Sequence, residues 1–320
     1  VTILRIQQDS KNYIWEPFSK HKQPFNRENN LYKNSLGDTV VFEEKNHTLG
    51  LTYSYKWQAS AEYGFIRKSS LINFGEKSIQ VELLDGLRNI MPAGVELRTQ
   101  QEMSNLANAY KVSEYMPDAN CALFFMNALL MDRPEPGESL YTNLVWSYYN
   151  GENSISLSEE DIARFTDNGA FSGAHLVKGK PGSFLTKIEK KLEPESKIHW
   201  YTVADVHQSQ SEVTHLISDH NDASNIELKL EESIQKNHLL LQSAIASADG
   251  FQCTNETIHD LHHTANTTFN VLRGGVFFNN CDLKAEDFLK FLSTRNAEIF
   301  ERYRDKIKAF PEKFSLRDLV

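Results

Sequence analysis

Cysteine is scarce in this sequence. Its 320 residues contain Cys121, Cys253 and Cys281, and no two of them have the C-x-x-C spacing. An odd number without paired spacing argues against a disulfide framework and against a thiolate zinc site. Cys121 opens an apolar segment, so we interpret it as a small core residue. The cysteines therefore predict no metal centre, and no motif in the sequence predicts a cofactor.

Long apolar runs and an excess of basic residues are also missing. The longest apolar segment, ALFFMNALLM, is shorter than the roughly 18 residues that a membrane-spanning helix needs. The N-terminal VTILRIQQDSKNYIW lacks the basic start and apolar stretch of a signal peptide. A net charge of -9 disfavours nucleic-acid binding, because phosphates are bound by a basic face. We expect a cytoplasmic protein, or a periplasmic one whose signal was removed, with no membrane or nucleic-acid partner.

No self-sufficient catalytic motif is present. Ser183 follows Pro181-Gly182 but lacks the second glycine of a G-x-S-x-G nucleophile elbow. Arg273-Gly274-Gly275 has tandem glycines without the rest of a phosphate-binding loop, and the end of a helix explains it better. No catalytic residue is therefore predicted.

The segment from residue 62 to residue 95 is predicted to begin as sheet and to end in a polar turn. Apolar and polar residues alternate over residues 79–83, which predicts a half-buried strand. Asp85-Gly86 then indicates a turn, and Arg88 and Asn89 follow before Pro92 interrupts regular structure. A charged turn at a strand end is a common binding position. An ordinary polar loop is the favoured interpretation, and Asp85, Arg88 and Asn89 are the candidate ligand-binding residues of the other one.

Residues 1–222 are predicted to be mainly β. Alternating apolar residues from Leu49 to Trp57 predict a strand, and β-rich runs recur at residues 122–131, 140–149 and 198–206. Ser158-x-x-Asp161 has the form of a capping box and predicts a short helix ending near Asn168-Gly169. Because helices do not alternate regularly with the strands, we predict a large antiparallel sandwich rather than a parallel α/β sheet.

Residues 223–320 are predicted to be helical. Apolar residues recur every three or four positions from residue 226 to Ala248, with Asp249-Gly250 as the stop. A second helix is predicted to end at Gly274-Gly275, and a third to run from about residue 286 to Tyr303. The predicted fold class is thus α+β, mainly β with C-terminal helices.

His259 and His263 lie four residues apart on the second predicted helix. This spacing suits two imidazoles on one metal ion, but Asp260 stands where an H-E-x-x-H motif has glutamate. A solvated or interface stripe is the favoured interpretation. The remaining possibility is that the stripe faces a cleft and binds a polyhydroxyl ligand or a neighbouring domain, so both histidines are candidate ligand-binding residues.

Aromatic and acidic residues of the β region leave several interpretations open. Rings at strand spacing are more often core than stacking platforms for sugars; they are Trp57, Tyr63, Trp146, Tyr148, Tyr149, Trp200 and Tyr201. Asp205 lies beside His207, and Glu82 lies close to Asp85. General acid–base chemistry needs two such groups that converge on one bond, and sequence spacing does not establish that.

Several segments, in order, resemble a known group of enzymes. They are VELLDGLRNIMPAG, SLYTNLVWSYYNG, FSGAHLVKGKPGSF, LEPESKIHWYTVADVHQSQSEVTHLIS and the helical HHTANTTFNVLRGGVF. The set is similar to the N-terminal β-supersandwich and helical linker of cellobiose-phosphorylase-like enzymes, glycoside hydrolases and phosphorylases with an (α/α)6 barrel, and more narrowly to their uncharacterised Bacteroidetes relatives. The resemblance implies a galactose-mutarotase-like sandwich over residues 1–222 and a helical linker over residues 223–320.

The resemblance also implies where the chemistry lies. In such enzymes the barrel carries the catalytic groups, and about a hundred helical residues are too few for its twelve helices. The chain also begins without methionine and stops at Val320 without a terminal signal, so we expect it to be part of a longer polypeptide. The implied partners are a carbohydrate, a C-terminal (α/α)6 catalytic domain of the same polypeptide, and a second copy in a homodimer.

We therefore predict a non-catalytic, carbohydrate-recognising and scaffolding domain of a larger carbohydrate-active enzyme. One alternative is an autonomous mutarotase-like sugar epimerase, for which His175, His199 and His207 are the histidines of the β region. Another is a purely structural interaction domain. Substitution of Arg88 by alanine is expected to leave stability nearly unchanged and to weaken ligand binding or domain docking.

Overall fold

The computed structural model describes residues 1–21, 23–129, 137, 139–221, 225–275 and 282–315. Within these ranges, sheet A contains five strands: β1 (Thr2–Gln8), β2 (Lys11–Trp15), β7 (Ile79–Ile90), β11 (Asn153–Ser156) and β13 (Gly182–Leu192). Their order across the sheet is β11-β13-β7-β1-β2. Every pairing among them is antiparallel.

Sheet B is larger and contains nine strands in the described residues. They are β3 (Arg27–Lys33), β4 (Val40–Asn46), β5 (Leu51–Ala59), β6 (Phe65–Asn73), β8 (Lys111–Met116), β9 (Cys121–Met126), β10 (Tyr141–Tyr149), β12 (Leu176–Lys178) and β14 (Lys197–Ser209). The order is β12-β8-β9-β10-β14-β6-β5-β4-β3, again with antiparallel pairing.

The helices flank and follow the sheets. They are α1 (Leu97–Glu102), α2 (Ser104–Tyr110), a 3-10 turn (Pro117–Ala119), α3 (Glu160–Asn168), α4 (Gln210–Asn221), α5 (Ile226–Ser247), α6 (Thr257–Gly274), α7 (Ala285–Arg295) and α8 (Ala297–Lys308). A two-stranded ribbon joins β15 (Asp282–Lys284) to β16 (Lys313–Ser315). None of the described helices is long and apolar enough to cross a bilayer.

The two sheets pack face to face. One buried cluster joins Leu4 and Val81 of sheet A to Tyr53, Leu71 and Trp200 of sheet B. Every second residue of each strand turns inward, so the two inner faces fill one core. The predicted antiparallel sandwich followed by helices is confirmed.

Helices cover parts of the two outer sheet faces. Phe165 of α3 packs on Ile3, Leu84 and Leu185 outside sheet A. On the outside of sheet B, apolar residues of α4 and α5 pack on the rings of β10 and β14; the buried members include Trp146, Tyr201, Val213, Leu230 and Ile234. Both outer faces are thus apolar where a helix covers them.

A buried polar cluster ties the sheets together around Asp85. Its Oδ1 accepts a 2.7 Å hydrogen bond from Thr2 Oγ1 of sheet A, and its Oδ2 accepts a 2.6 Å bond from Trp200 Nε1 of sheet B. Arg67 of β6 forms a buried ion pair with the same carboxylate. The Tyr53 hydroxyl lies 3.0 Å from Thr2 Oγ1 and completes the cluster. Every group in it needs its partner, because burial without one costs several kcal/mol.

The turn predicted at Asp85-Gly86 is wrong. Strand β7 continues to Ile90, and Gly86 pairs with Leu185 of β13. A side chain at Gly86 would collide with the carbonyl oxygen of Phe184 and place its Cβ 2.9 Å from Leu185 Cα. This glycine therefore permits a close approach of two strands instead of a reversal of the chain.

Three further differences from the sequence predictions concern helices. Helix α4 lies in the part predicted as sheet, and the predicted third helix is divided at Asn296, whose Oδ1 accepts from Ile299 N at 3.1 Å and caps α8. The short helix after Ser158 is present, but its capping box does not form. Asp161 turns instead to Ser172, whose hydroxyl donates to it at 2.7 Å.

The chain forms two compact units, Val1–Asn34 with Asp38–Asn237, and Ser35–Gly37 with His238–Val320. The division falls inside α5, whereas the predicted boundary at residues 222 and 223 lies outside the described residues, so it stays a prediction. Within the second unit, Phe314 of β16 packs against Phe288 and Phe310, with ring centroids 5.8 Å and 4.6 Å apart.

Removal of the Asp85 carboxylate tests the buried cluster. Asp85→Ala leaves the Arg67 charge buried without its partner, so we expect the free energy of unfolding to fall by about 3–5 kcal/mol. Urea unfolding measures this. Glu189→Ala, an exposed carboxylate on the neighbouring strand, is the control, with an expected change below about 1 kcal/mol. Equal effects of the two substitutions would contradict the structural role of Asp85.

Candidate functional site

The three predicted ligand-binding residues of β7 do not share one surface. The carboxylate of Asp85 is buried between the sheets and engaged by three partners, which places it in the core. Arg88 and Asn89 lie near the end of β7 and are exposed, with Asn89 at a positive φ of 54°. Arg88 Nε donates to Glu159 Oε1 at 2.9 Å. A ligand role for these residues therefore stays a prediction, and Asp85 lacks the access that such a role requires.

His259 and His263 belong to the second unit. His263 Nε2 lies 2.7 Å from the carbonyl oxygen of Asp249, and Thr264 Oγ1 donates to the carbonyl of Gly250 at 3.0 Å. These bonds fasten α6 to the turn that follows α5. The His259 side chain is exposed. Across the described ranges, no group of three or more metal-binding side chains comes together.

One concavity next to the sheets lies beside Arg88. It has a volume of about 620 Å³ and is lined by α3 and by residues of β12 and the following turn; its charged residues are Glu159, Glu160, Arg164, Lys178 and Lys180. Glu160 accepts from Lys180 at 2.6 Å and from Arg164 at 3.0 Å. These two cations hold the pKa of Glu160 below its usual value, the Lys180 hydrogen bond contributing most. Most charges of this cleft are thus satisfied within it.

The second concavity, of about 460 Å³, lies outside sheet B beside α4. We call it the acidic groove; it is lined by Glu62, Tyr63, Leu144, Trp146, Asp205, Gln208, Glu212, His215 and Leu216. These residues come from the β5–β6 connection, from β10 and β14, and from α4. Pockets with an apolar floor and a few polar groups are the usual form of small-molecule sites.

The floor of the acidic groove is aromatic. Trp146 is almost fully buried, and the half-buried ring of Tyr63 meets it edge-on at 6.1 Å between centroids and 79° between planes. Such edge-to-face contact fixes the orientation of both rings. Tyr63 is therefore the ring that the groove presents to a ligand, and Trp146 supports it from below.

Asp205 is the carboxyl group whose pKa is raised in the groove. Burial raises it most, and the nearby charge of Glu212 adds to this effect, while the backbone N–H of Val206 opposes it with a 2.8 Å hydrogen bond to Oδ1. Gly64 approaches so closely that a Cβ there would lie 2.7 Å from Asp205 Oδ1. A carboxyl group with a raised pKa in a concavity is a candidate functional group.

The other two carboxylates of the groove have structural partners. Glu212 Oε2 accepts from the backbone N–H of Ser209 at 2.7 Å and from its hydroxyl at 2.6 Å, which forms a capping box at the start of α4. The hydroxyl and N–H of Ser209 lower the pKa of Glu212. Glu62 forms a 2.7 Å ion pair with Lys236. Asp205 is the groove carboxyl that remains for a ligand.

A separate polar cluster surrounds His199 on the outer face of sheet B. His199 Nε2 lies 2.7 Å from Glu227 Oε1 of α5, and Tyr201 donates to Glu227 and Glu231 at 3.0 Å and 2.8 Å. Lys68 pairs with Glu231 at 2.7 Å. Burial and the two glutamates raise the pKa of Tyr201 far above its ordinary value, so its hydroxyl remains a donor. This cluster fastens α5 to the sheet.

Tyr63, Trp146 and Asp205 are recognisable in the sequence as an aromatic pair and a carboxylate, but no sequence pattern connects them. They stand far apart in the chain, and only the order β10-β14-β6 brings their strands together. Glu212 was missed although it carried a local signal, because Ser209-Gln210-Ser211-Glu212 has the form of a capping box before a helix.

Neither a protein-family model nor a curated protein matches this chain. Among solved structures, it is similar to a bacterial glucoamylase complexed with acarbose, with 9% identity and a TM-score of 0.48 over 83% of this chain and 34% of that chain. A protein described as a kojibiose phosphorylase from the human microbiome has 9% identity and a TM-score of 0.42 over 76% and 27%. A polysaccharide lyase has 10% identity and a TM-score of 0.38 over 68% and 27%.

The chain thus spans between 27% and 34% of the length of these three proteins. All three are carbohydrate-active enzymes by name. At TM-scores below 0.5, the similarities carry no functional conclusion for this chain.

Substitution of Arg88 tests whether its ion pair supports the fold. About half of the Arg88 side chain is exposed, so Arg88→Ala should lower the free energy of unfolding by less than about 1 kcal/mol. Thermal or urea unfolding measures the change. A loss of several kcal/mol would identify Arg88 as a structural residue.

Substitution of Asp205 tests its environment through pH. Because folding raises the pKa of Asp205, the native state binds the proton more tightly than the unfolded state, and this residue's contribution to stability declines as pH rises above 3.8. Asp205→Asn removes that decline. The variant should therefore gain stability relative to the unsubstituted protein between acidic and neutral pH. A stability difference independent of pH would contradict the raised pKa.

Proposed function

We propose that this chain is a carbohydrate-recognising domain of a larger carbohydrate-active enzyme and that the acidic groove is its binding site. One observation supports the proposal. The half-buried Tyr63 ring, the Asp205 carboxyl and the Gln208 amide line the same concavity of about 460 Å³. The larger enzyme follows from the sequence resemblance.

The chemistry of the groove suits a sugar. A sugar ring has an apolar C–H face, which can lie on an aromatic ring such as Tyr63, and an edge of hydroxyl groups. Each hydroxyl both donates and accepts, and it therefore fits the acceptor Asp205 and the amide Gln208, which does both. The carboxylates of the rim disfavour an anionic sugar, so a neutral or amino sugar is the expected class.

The groove favours binding over bond cleavage. Hydrolysis of a glycosidic bond normally uses two carboxyl groups that converge on it. Glu212 is engaged in the capping box and Glu62 in the ion pair with Lys236, which leaves Asp205. We therefore assign the groove a recognition role, and the chemistry of the larger enzyme to another part of its polypeptide.

One observation favours a second function, the mutarotase-like epimerase. His199 and Glu227 approach to 2.7 Å on the outer face of sheet B, which provides a histidine and a carboxylate for proton transfer at an anomeric centre. Against it, Glu227 also accepts from Tyr201 and lies 3.9 Å from Lys68, and neither residue lines the two concavities described above. Polarimetry of freshly dissolved α-glucose and α-galactose distinguishes the two functions. Accelerated mutarotation that His199→Ala abolishes would establish the epimerase.

Loss of the Tyr63 ring should weaken binding without unfolding the protein. We expect Tyr63→Ala to reduce affinity for a bound saccharide about tenfold, because the ring supplies the stacking surface. Calorimetric titration with a panel of neutral and amino mono- and oligosaccharides measures it, after the unsubstituted protein has identified the sugar.

The control for this experiment is Tyr32→Ala, which removes a half-exposed ring from the edge strand β3, outside the groove. Its affinity should equal that of the unsubstituted protein. Unchanged binding by Tyr63→Ala would place the sugar elsewhere. The absence of binding to every sugar at millimolar concentration would favour the purely structural domain.

A further inference from the structure

Helix α3 covers one part of the outer face of sheet A. A depression lined mostly by polar residues lies next to the covered part. Phe165 of α3 covers Ile3 and Leu84, at the end of β7 that leads to Gly86. At the other end of the same strands, the outward side chains are mostly polar, with the exposed Ile14 opposite Arg5, and they frame a depression of about 360 Å³. This depression lies on the opposite sheet from the acidic groove, and it takes no part in the function proposed above.

Three amide side chains form a row across this depression. Gln7 of β1 stands opposite Gln80 of β7 on one side and opposite Asn12 of β2 on the other. Directly paired residues of antiparallel strands project to the same face. Adjacent strands are about 4.8 Å apart, so the row extends over about 10 Å, comparable to a disaccharide. We call these three residues the amide row.

The amide row has hydrogen-bonding capacity that the protein does not use. All three side chains are exposed, and none of them has a side-chain hydrogen bond with any other described residue. Each amide offers two N–H donors and one carbonyl acceptor. Exposed amide side chains on a sheet commonly face water alone, but here three stand in line within a concavity.

One side of the depression is held in place by Arg5. Its Nη1 donates to the carbonyl oxygens of Phe165 and Thr166 at 3.1 Å and 3.0 Å, at the end of α3, and its Nε lies 3.6 Å from Glu82. Asp167 completes this wall. The arginine is thus anchored to a helix end and a strand, which gives the depression a fixed polar border in which Arg5 and Glu82 are paired.

We propose that the amide row is a binding site for a neutral glycan chain that lies across β7, β1 and β2. Sugar hydroxyls donate and accept together, and a primary amide does the same, so one amide can serve two neighbouring hydroxyls. The paired charges of Arg5 and Glu82 leave no unbalanced cation for an anionic sugar. An extended chain suits the row, because its units can meet successive amides at strand spacing.

Affinity electrophoresis in native gels tests the site with named polymers: glycogen, hydroxyethyl cellulose, galactomannan and arabinoxylan. We expect at least one of them to retard the protein, and Gln7→Ala/Gln80→Ala to weaken that retardation about tenfold, because two hydrogen-bonding groups are lost. The matched control is Gln101→Ala/Gln252→Ala, which removes two exposed glutamines from other parts of the chain. Thermal unfolding of each variant confirms that the fold is retained.

Tyr63→Ala, run in the same gels, distinguishes binding at the acidic groove from binding at the amide row. Retardation lost in Gln7→Ala/Gln80→Ala and kept in Tyr63→Ala and in the control supports the amide row. If retardation is lost in Tyr63→Ala alone, or lost equally in the control, the proposal that the amide row binds a glycan is wrong. The calorimetric titrations then test the acidic groove independently. No retardation by any of the four polymers also overturns the proposal for the amide row.

Discussion

The sandwich depends on a buried carboxylate at its centre. Asp85 of sheet A receives hydrogen bonds from Trp200 and an ion pair from Arg67, both on sheet B, so one side chain fixes the position of one sheet against the other. Glu44 of β4 repeats the arrangement in the opposite sense, accepting from Trp15 of β2 at 2.7 Å. Apolar packing drives the sheets together, but it does not specify their relative position, whereas directional bonds in a dry interior do.

Because the inner faces of the two sheets are buried against each other, the candidate binding sites lie on the outer faces. Helices α3, α4 and α5 cover the apolar parts of these faces, and each concavity lies where a helix ends or a strand leaves its cover. The acidic groove borders α4, and the depression of the amide row borders the end of α3. The same helices that complete the core thus provide walls for candidate binding sites. A rigid scaffold of this kind holds polar groups in position before a ligand arrives.

The sequence allowed the general architecture to be predicted because it is encoded locally. Alternation from Leu51 to Trp57 is a property of neighbours, and so is the three-and-four spacing within α5. The role of Asp85 was missed because its partners Arg67 and Trp200 are 18 and 115 positions away. The acidic groove was missed for the same reason, since Tyr63 lies in the β5–β6 connection and Asp205 in β14. An aspartate followed by glycine usually marks a turn, and only the strand beside it shows that this pair does not.

The pairing of Asp85 with Gly86 also bears on how the chain avoids misfolding. A shift of one residue in the pairing of β7 would turn Asp85 out of the interior, bring an aliphatic side chain against Arg67, and press a side chain into the backbone of Phe184. Asp85 and Gly86 therefore both disfavour this shift in pairing, Asp85 for an electrostatic reason and Gly86 for a steric one. A mispaired β7 would therefore lose the buried ion pair and clash with β13, and both costs favour the native register.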